Sequence, residues 1–214
     1  MEVQNHGVVF EDSVVRSITG LSKAEYQTRL THAYFATMDV VKGVESNVNY
    51  SIKVSKGRDI GCANILRFID HCKDTEFTMV VGVWQQISPT VKRYTCIYEF
   101  DITPKHYELI WANVTKDIVE QFTEYVKSVP YGPAGQQAHK KLWKQKRRAI
   151  YDTYGQGLCQ IDAKIDSKRQ RRVQGRFRIK DLIAATAIPH RRYETEYRGI
   201  QLPYEQDSGP RQFD

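Results

Sequence analysis

The stretch Phe77–Trp84, FTMVVGVW, carries one polar side chain, Thr78, in eight positions. That is too apolar for a strand with one face in water. It reads as a strand covered on both faces at the centre of a sheet, which calls for further layers on either side. After it, VKRYTCIYEFDI alternates Tyr94, Cys96, Tyr98 and Phe100 as a neighbouring strand. Before it, VNYSIKVS alternates Val48, Tyr50, Ile52 and Val54 with Asn49, Ser51, Lys53 and Ser55, which predicts one packed and one polar face. FATMDVVKG is its expected hairpin partner across the turn-rich GVESN.

Helical signals surround these strands. LSKAEYQTRLTHAYF opens with Ser22 and Glu25 at capping-box spacing, with Leu21 and Tyr26 as a staple. RDIGCANILRFIDHC predicts a helix capped by Asp59 that buries Cys62, Leu66 and Ile69. TPKHYELIW starts on a Thr cap followed by Pro, and TKDIVEQFTEYVKSV runs as a helix to Pro130. A strongly basic helix, QQAHKKLWKQKRRAIYDTY, follows with Leu142, Trp143 and Ile150 on its packing side. The chain then reads as a hairpin, LCQIDAKI with QRRVQGRFRI, a short helix near KDLIAATA and a polar tail from about Pro189. The expected fold is α/β (α+β), a central mixed sheet flanked by helices with a C-terminal basic β-hairpin. Residues 1–130 form the expected core, and 131–214 a basic region packed on it as one domain.

At 214 residues the chain is long enough for a sizeable core. No apolar run approaches a membrane span, and MEVQNHGVVFEDS lacks the basic-then-apolar order of a signal peptide, so the expected location is cytoplasmic. The four cysteines, Cys62, Cys72, Cys96 and Cys159, are scattered without zinc-ligand spacing and read as reduced, small hydrophobes.

Charge is concentrated in one place. Between His139 and Lys180 fourteen Lys and Arg face three acids, an excess larger than the whole chain's net +7, so the remainder is net acidic. A local excess of this kind suits a polyanion-binding face. In the predicted hairpin, alternation puts Arg172, Gln174, Arg176 and Arg178 on one face, opposite Gln160, Asp162 and Lys164, with Val173, Phe177 and Ile179 packed. Gly175 interrupts the row and admits a bulge or a close approach. A two-stranded ribbon fits the major groove, where Arg reads guanine and Gln reads adenine. The expected DNA-contacting set is therefore Lys140, Lys144, Arg147 and Arg148 on the helix, and Gln160, Lys164, Lys168, Arg169, Arg171, Arg172, Gln174, Arg176 and Arg178 on the ribbon. A ribbon touching only phosphates or RNA remains the alternative.

Asp39, an intervening turn, then Ser51-Ile52-Lys53 on a half-buried strand followed by an amphipathic helix resembles the core of the PD-(D/E)xK nucleases, which include most type II restriction endonucleases. The resemblance covers roughly residues 20–102. It implies a restriction-endonuclease-like core, Mg2+ as cofactor, Asp39 as the first metal-binding acid, the Ile52 backbone carbonyl as a further ligand and Lys53 as the lysine that positions the attacking water. Ser51 stands where that family has Glu or Asp, which leaves it an auxiliary role and requires a second acid from elsewhere. Glu25 on the preceding helix is the first choice and Glu45 in the turn the second. The expectation is a Mg2+-dependent, sequence-specific endonuclease of double-stranded DNA, acting as a homodimer. The alternatives are a DNA- or RNA-binding protein without hydrolysis, and a structure-specific or RNA-processing nuclease.

Overall fold

The computed structural model describes residues 5–30, 38–62, 64–165 and 170–207. In chain order the elements are α1 (Asn5–Thr19), α2 (Lys23–Arg29), β1 (Asn49–Ser55), β2 (Asp59–Cys62), α3 (Ile65–Asp74), β3 (Phe77–Gln86) and β4 (Val91–Ile102). There follow α4 (Tyr107–Trp111), α5 (Lys116–Ser128), α6 (Pro133–Tyr154), β5 (Gln160–Ile165), β6 (Arg171–Arg178) and α7 (Ile179–Ala184). The last are β7 (His190–Tyr193), β8 (Glu196–Tyr197), β9 (Ile200–Gln201) and β10 (Tyr204–Asp207). The chain is a mixed α/β protein. It divides into two compact units, one of Met1–Ile60, Glu76–Ile102 and Ala185–Asp214, the other of Gly61–Thr75 and Thr103–Ala184. The boundary expected at 130–131 thus falls inside the second unit, because the C-terminal segment rejoins the first unit's sheet.

In the first unit the sheet runs β1–β3–β4–β10, with β7 also paired to β4. β1 is parallel to β3, and the other pairings are antiparallel. β3 is the apolar stretch with which the sequence reading began, and Phe77 to Gly82 are all buried. Helix α1 packs Phe10, Val14 and Val15, each fully buried, into a cluster with Tyr26 of α2 and with Tyr50, Ile52, Val80, Trp84 and Tyr94. Its approach is close. A Cβ placed on Gly82 would sit 2.4 Å from the Phe10 ring, which itself stacks on Tyr94 at 4.8 Å. Only glycine at that position lets α1 lie against β3.

Three sequence expectations change here. The helix expected from Asp59 begins instead after Asn64, whose side chain accepts from the Arg67 amide at 3.2 Å. The Asp59 segment is the short strand β2, because Ile60 and Cys62 alternate into the interior. The expected polar face of β1 is not open to water either, since Ser51 and Ser55 are 4% and 3% exposed. The polar tail from Pro189 contains four short strands. It reads as polar because its side chains are partnered by an acid in the sheet. Glu99, 1% exposed, accepts from Arg191 Nε at 2.9 Å, Tyr193 OH at 2.8 Å and Tyr197 OH at 3.0 Å. Burial works to raise the Glu99 carboxyl, but the donors from Tyr193, Arg191 and Tyr197 outweigh it and hold it below its ordinary range.

The second unit is built on a three-stranded sheet in the order β2–β6–β5, to which β2 contributes its Gly61–Cys62 end. β5 and β6 pair antiparallel without a break from Gln160↔Arg176 to Ile165↔Arg171. Gly175 provides a close approach and no bulge. A Cβ there would lie 2.9 Å from Cys159 Sγ. Val173 and Phe177 are buried with Val119, Phe122 and Val126 of α5 and Phe68 of α3, whose ring meets Phe177 edge-on at 5.7 Å. Among the described residues no helix is long and apolar enough to cross a membrane.

Candidate functional site

β1 is the edge strand of the first unit's sheet, so one side of its backbone has no neighbouring strand. Val40 covers part of that side by a single antiparallel bridge to Tyr50, with N–H to O distances of 3.1 and 2.8 Å. Two residues on, the outward N–H and C=O of Ile52 are met by side chains. The Asp39 carboxylate accepts from the Ile52 amide at 2.5 Å, and Lys53 Nζ donates to the Ile52 carbonyl at 2.9 Å. Lys53 Nζ also stands 3.4 Å from the same Asp39 oxygen. Asp39, the Ile52 carbonyl and Lys53, expected together, are therefore together. Ser51 lies buried on the Lys53 side of the strand.

The second acid is neither of those expected. Glu25 accepts from the Ser22 amide at 2.8 Å and from its hydroxyl at 2.5 Å, closing the capping box on an exposed turn. Those donors hold its carboxyl below the ordinary value, which is the signature of a helix cap. Glu45 is paired with Arg29 at 2.6 Å. The carboxylate that reaches Asp39 is Glu11, carried on α1 directly after Phe10, so the Phe10–Gly82 contact sets its position. Burial and the neighbouring Asp39 charge push the Glu11 carboxyl above its ordinary value, against the Lys23 ammonium 2.7 Å away. Neighbouring carboxyls of this kind favour a proton or a cation beside them.

The donor set of Glu11, Asp39 and the Ile52 carbonyl is all oxygen, which suits a hard ion such as Mg2+, commonly held by one or two carboxylates with water and phosphate completing its shell. Among the described residues there is no group of three or more His, Cys, Asp or Glu that could hold a metal by itself. Lys53 occupies the place of a cation between the Asp39 carboxylate and the Ile52 carbonyl. An ion there would displace its ammonium outward, toward the phosphate such an ion would bind.

On the second unit the expected nucleic-acid residues fall into two sets. Arg176 is tied to Gln160 and Asp162, both at 2.7 Å, and Arg147 binds the same Asp162 while its guanidinium lies 5.0 Å from the Trp143 ring. Arg171, 8% exposed, donates to the Val129 carbonyl at 2.9 Å and to that of Pro130, closing the end of α5. Arg178 Nε is buried. These side chains serve the fold, so the expected reading row of the ribbon is reduced at its middle. Arg172 is exposed, and Gln174 and Lys164 are partly exposed, toward the hairpin's turn. Lys168 and Arg169 lie outside the described residues. On α6, Lys140, Lys144 and Arg148 are exposed, and so is Leu142, at 42%, which had been expected to pack. The side chains of α6 that bond to β5 are Arg147 and Tyr151.

Sequence reasoning missed Glu11 because it missed α1. The signal was present in Phe10, Val14, Val15 and Ile18, which recur at helical spacing. No protein-family model matches the chain, and neither a curated protein nor a solved structure matches it.

Proposed function

We propose that the chain is a divalent-cation-dependent nuclease that hydrolyses phosphodiester bonds in double-stranded DNA, with Mg2+ as the ion. The observation that carries this reading is Glu11. Closing the edge at Ile52 needs Asp39 and Lys53 alone, and a second carboxylate beside the first, itself paired with Lys23 at 2.7 Å, adds the oxygen donor that a cation site would use. Glu11, Asp39 and the Ile52 carbonyl would hold the ion, which supplies charge stabilisation at the scissile phosphate. Lys53 Nζ, released from the Ile52 carbonyl, donates to a phosphate oxygen or to the attacking water and fixes its approach. Lys23 keeps Glu11 aimed at Asp39 from the other side. Sequence preference would fall to Arg172, Gln174 and Lys164, and cutting both strands of a symmetric site calls for two copies of the chain.

The test is incubation with Mg2+ and plasmid DNA. Discrete fragments that vanish with EDTA and with Asp39→Ala or Lys53→Ala support the reading; a smear, or cleavage that persists in either variant, removes it. A second reading, nucleic-acid binding without hydrolysis, is favoured by one observation. Lys23 and Lys53 already neutralise the two acids, at 2.7 and 3.4 Å. Tight binding that ignores Mg2+, with no cleavage, would select it.

A further inference from the structure

Helix α6, 22 residues long, bonds to β5 through Arg147 and Tyr151, and other cations along it have a different character. Lys140, Lys141, Lys144 and Arg148 are all exposed. Lys140, Lys144 and Arg148 follow at four-residue intervals, so they form one stripe along roughly 12 Å of helix. Lys141 lies beside it. The nearest acid on the helix, Asp152, meets Arg148 at 3.8 Å with both side chains largely in water, a geometry that contributes little. Like charges at this spacing repel and weaken a helix. Lys146, by contrast, lies over the Tyr125 ring at 4.6 Å, and Arg147 is paired with Asp162. The fold thus employs the inward cations and tolerates the outward ones.

We propose that the stripe of Lys140, Lys141, Lys144 and Arg148 docks the sugar-phosphate backbone of duplex DNA, independently of base sequence and of any divalent cation. Three of the four are lysines, which act as point charges on phosphate. Base reading would ask for planar Arg, Asn or Gln side chains. The stripe lies on solvent with no apolar row beside it except Leu142, which disfavours insertion of the helix into a membrane surface. The proposal rests on the reading of the chain as a nucleic-acid protein and not on hydrolysis.

The experiment is fluorescence anisotropy of the full chain with two unrelated duplexes of equal length in EDTA, across a salt series. Binding without metal keeps this test separate from the nuclease reading, since a chain that binds here but never cleaves refutes only the latter. Four phosphate contacts contribute about −3.6 to the log-log salt slope, or roughly 10²-fold weaker binding from 50 to 200 mM salt, and that contribution is the same for both duplexes. Lys140→Ala/Lys141→Ala/Lys144→Ala, which substitutes alanine at exposed helical positions and so preserves the helix, makes the slope shallower by about 2.7. The proposal is overturned if the triple variant keeps the wild-type slope with its helix content unchanged, if one duplex binds more than tenfold tighter through this stripe, or if the chain ignores both duplexes and binds phosphatidylserine vesicles.

Discussion

Each of the two units has a sheet edge where one isoleucine presents its N–H and C=O outward, and each closes that edge with a pair of side chains. At Ile161 on β5, Tyr151 OH accepts from the amide at 2.6 Å and Arg147 donates to the carbonyl at 3.2 Å. At Ile52 on β1, Asp39 accepts from the amide and Lys53 donates to the carbonyl. The backbone problem is the same and both solutions meet it. What differs is the surplus. Around Ile161 the one acid, Asp162, is answered by Arg147 and Arg176. Around Ile52 a second acid stands against the first, and its carboxyl is forced upward. A neutral tyrosine closes an edge as well as a carboxylate does, so the second acid beside Ile52, answered by Lys23, is more than the edge requires.

The comparison predicts its own reversals. The largest effect is expected in cleavage. Asp39→Asn should reduce Mg2+-dependent hydrolysis by roughly 10²–10³-fold, the scale of losing one group that stabilises transition-state charge, with folding preserved. Asp162→Asn should leave cleavage per folded molecule intact and lower stability by about 2–3 kcal/mol, because Arg147 and Arg176 lose their acid in a partly buried setting. Denaturant midpoints for the two variants, measured beside their activities, would expose any mistake in assigning one acid to chemistry and the other to structure. Equal activity loss in both would erase the contrast.

Glu11→Gln sharpens the point by its sign. A carboxyl whose folded pKa lies above its unfolded value binds more protons folded than unfolded, so its contribution to stability falls as pH rises from the ordinary Glu value through the raised folded one. Removing the charge should therefore stabilise the chain by about 1 kcal/mol at pH 7, a typical gain where a functional site is relaxed. The gain should disappear at pH 4, where Glu11 is protonated in either state, and cleavage should be lost. Thermal melts at the two pH values read this, and a variant less stable than wild type at pH 7 would mean that the Lys23 pair matters more than the clash with Asp39. Glu99, whose carboxyl is lowered, behaves oppositely. Its contribution is present above its unfolded pKa and is lost as pH falls through the folded one. The smallest change is expected from Tyr151→Phe, which removes the Ile161 amide's acceptor and should lower stability by about 1 kcal/mol without altering cleavage.

Much of the fold could be read from periodicity, and the exceptions have physical causes. The strands β1 and β4 and the β5–β6 pairing follow from alternation, which depends only on which side chains face the interior, and β3 follows from its unbroken apolar run. The Ser22–Glu25 capping box was legible as a local signature, and that same local role ties Glu25 to Ser22 and away from Asp39. Helix α1 was marked only by the spacing of Phe10, Val14, Val15 and Ile18, because Asn5–Thr19 is rich in β-branched residues and lacks a cap signal, and its helicity depends on Phe10 fitting over Gly82, a contact 72 positions away in the chain. Glu11 was hidden with it. The C-terminal strands were hidden because their polarity is answered by Glu99 and Asp101 on β4, a pairing no local pattern announces. In the basic region, sequence could not separate arginines tied to Asp162 or to the end of α5 from cations left in water.

Whether Glu11 and Asp39 form a cation site is decided by calorimetric titration of Mn2+, a spectroscopic and thermodynamic stand-in for Mg2+, into the wild-type chain and the Glu11→Gln variant without DNA. One ion per chain is expected for the wild type, with protons released at mildly acid pH, and no such binding in a variant that folds as well or better. Equal binding in both, or none in the wild type, would contradict that site.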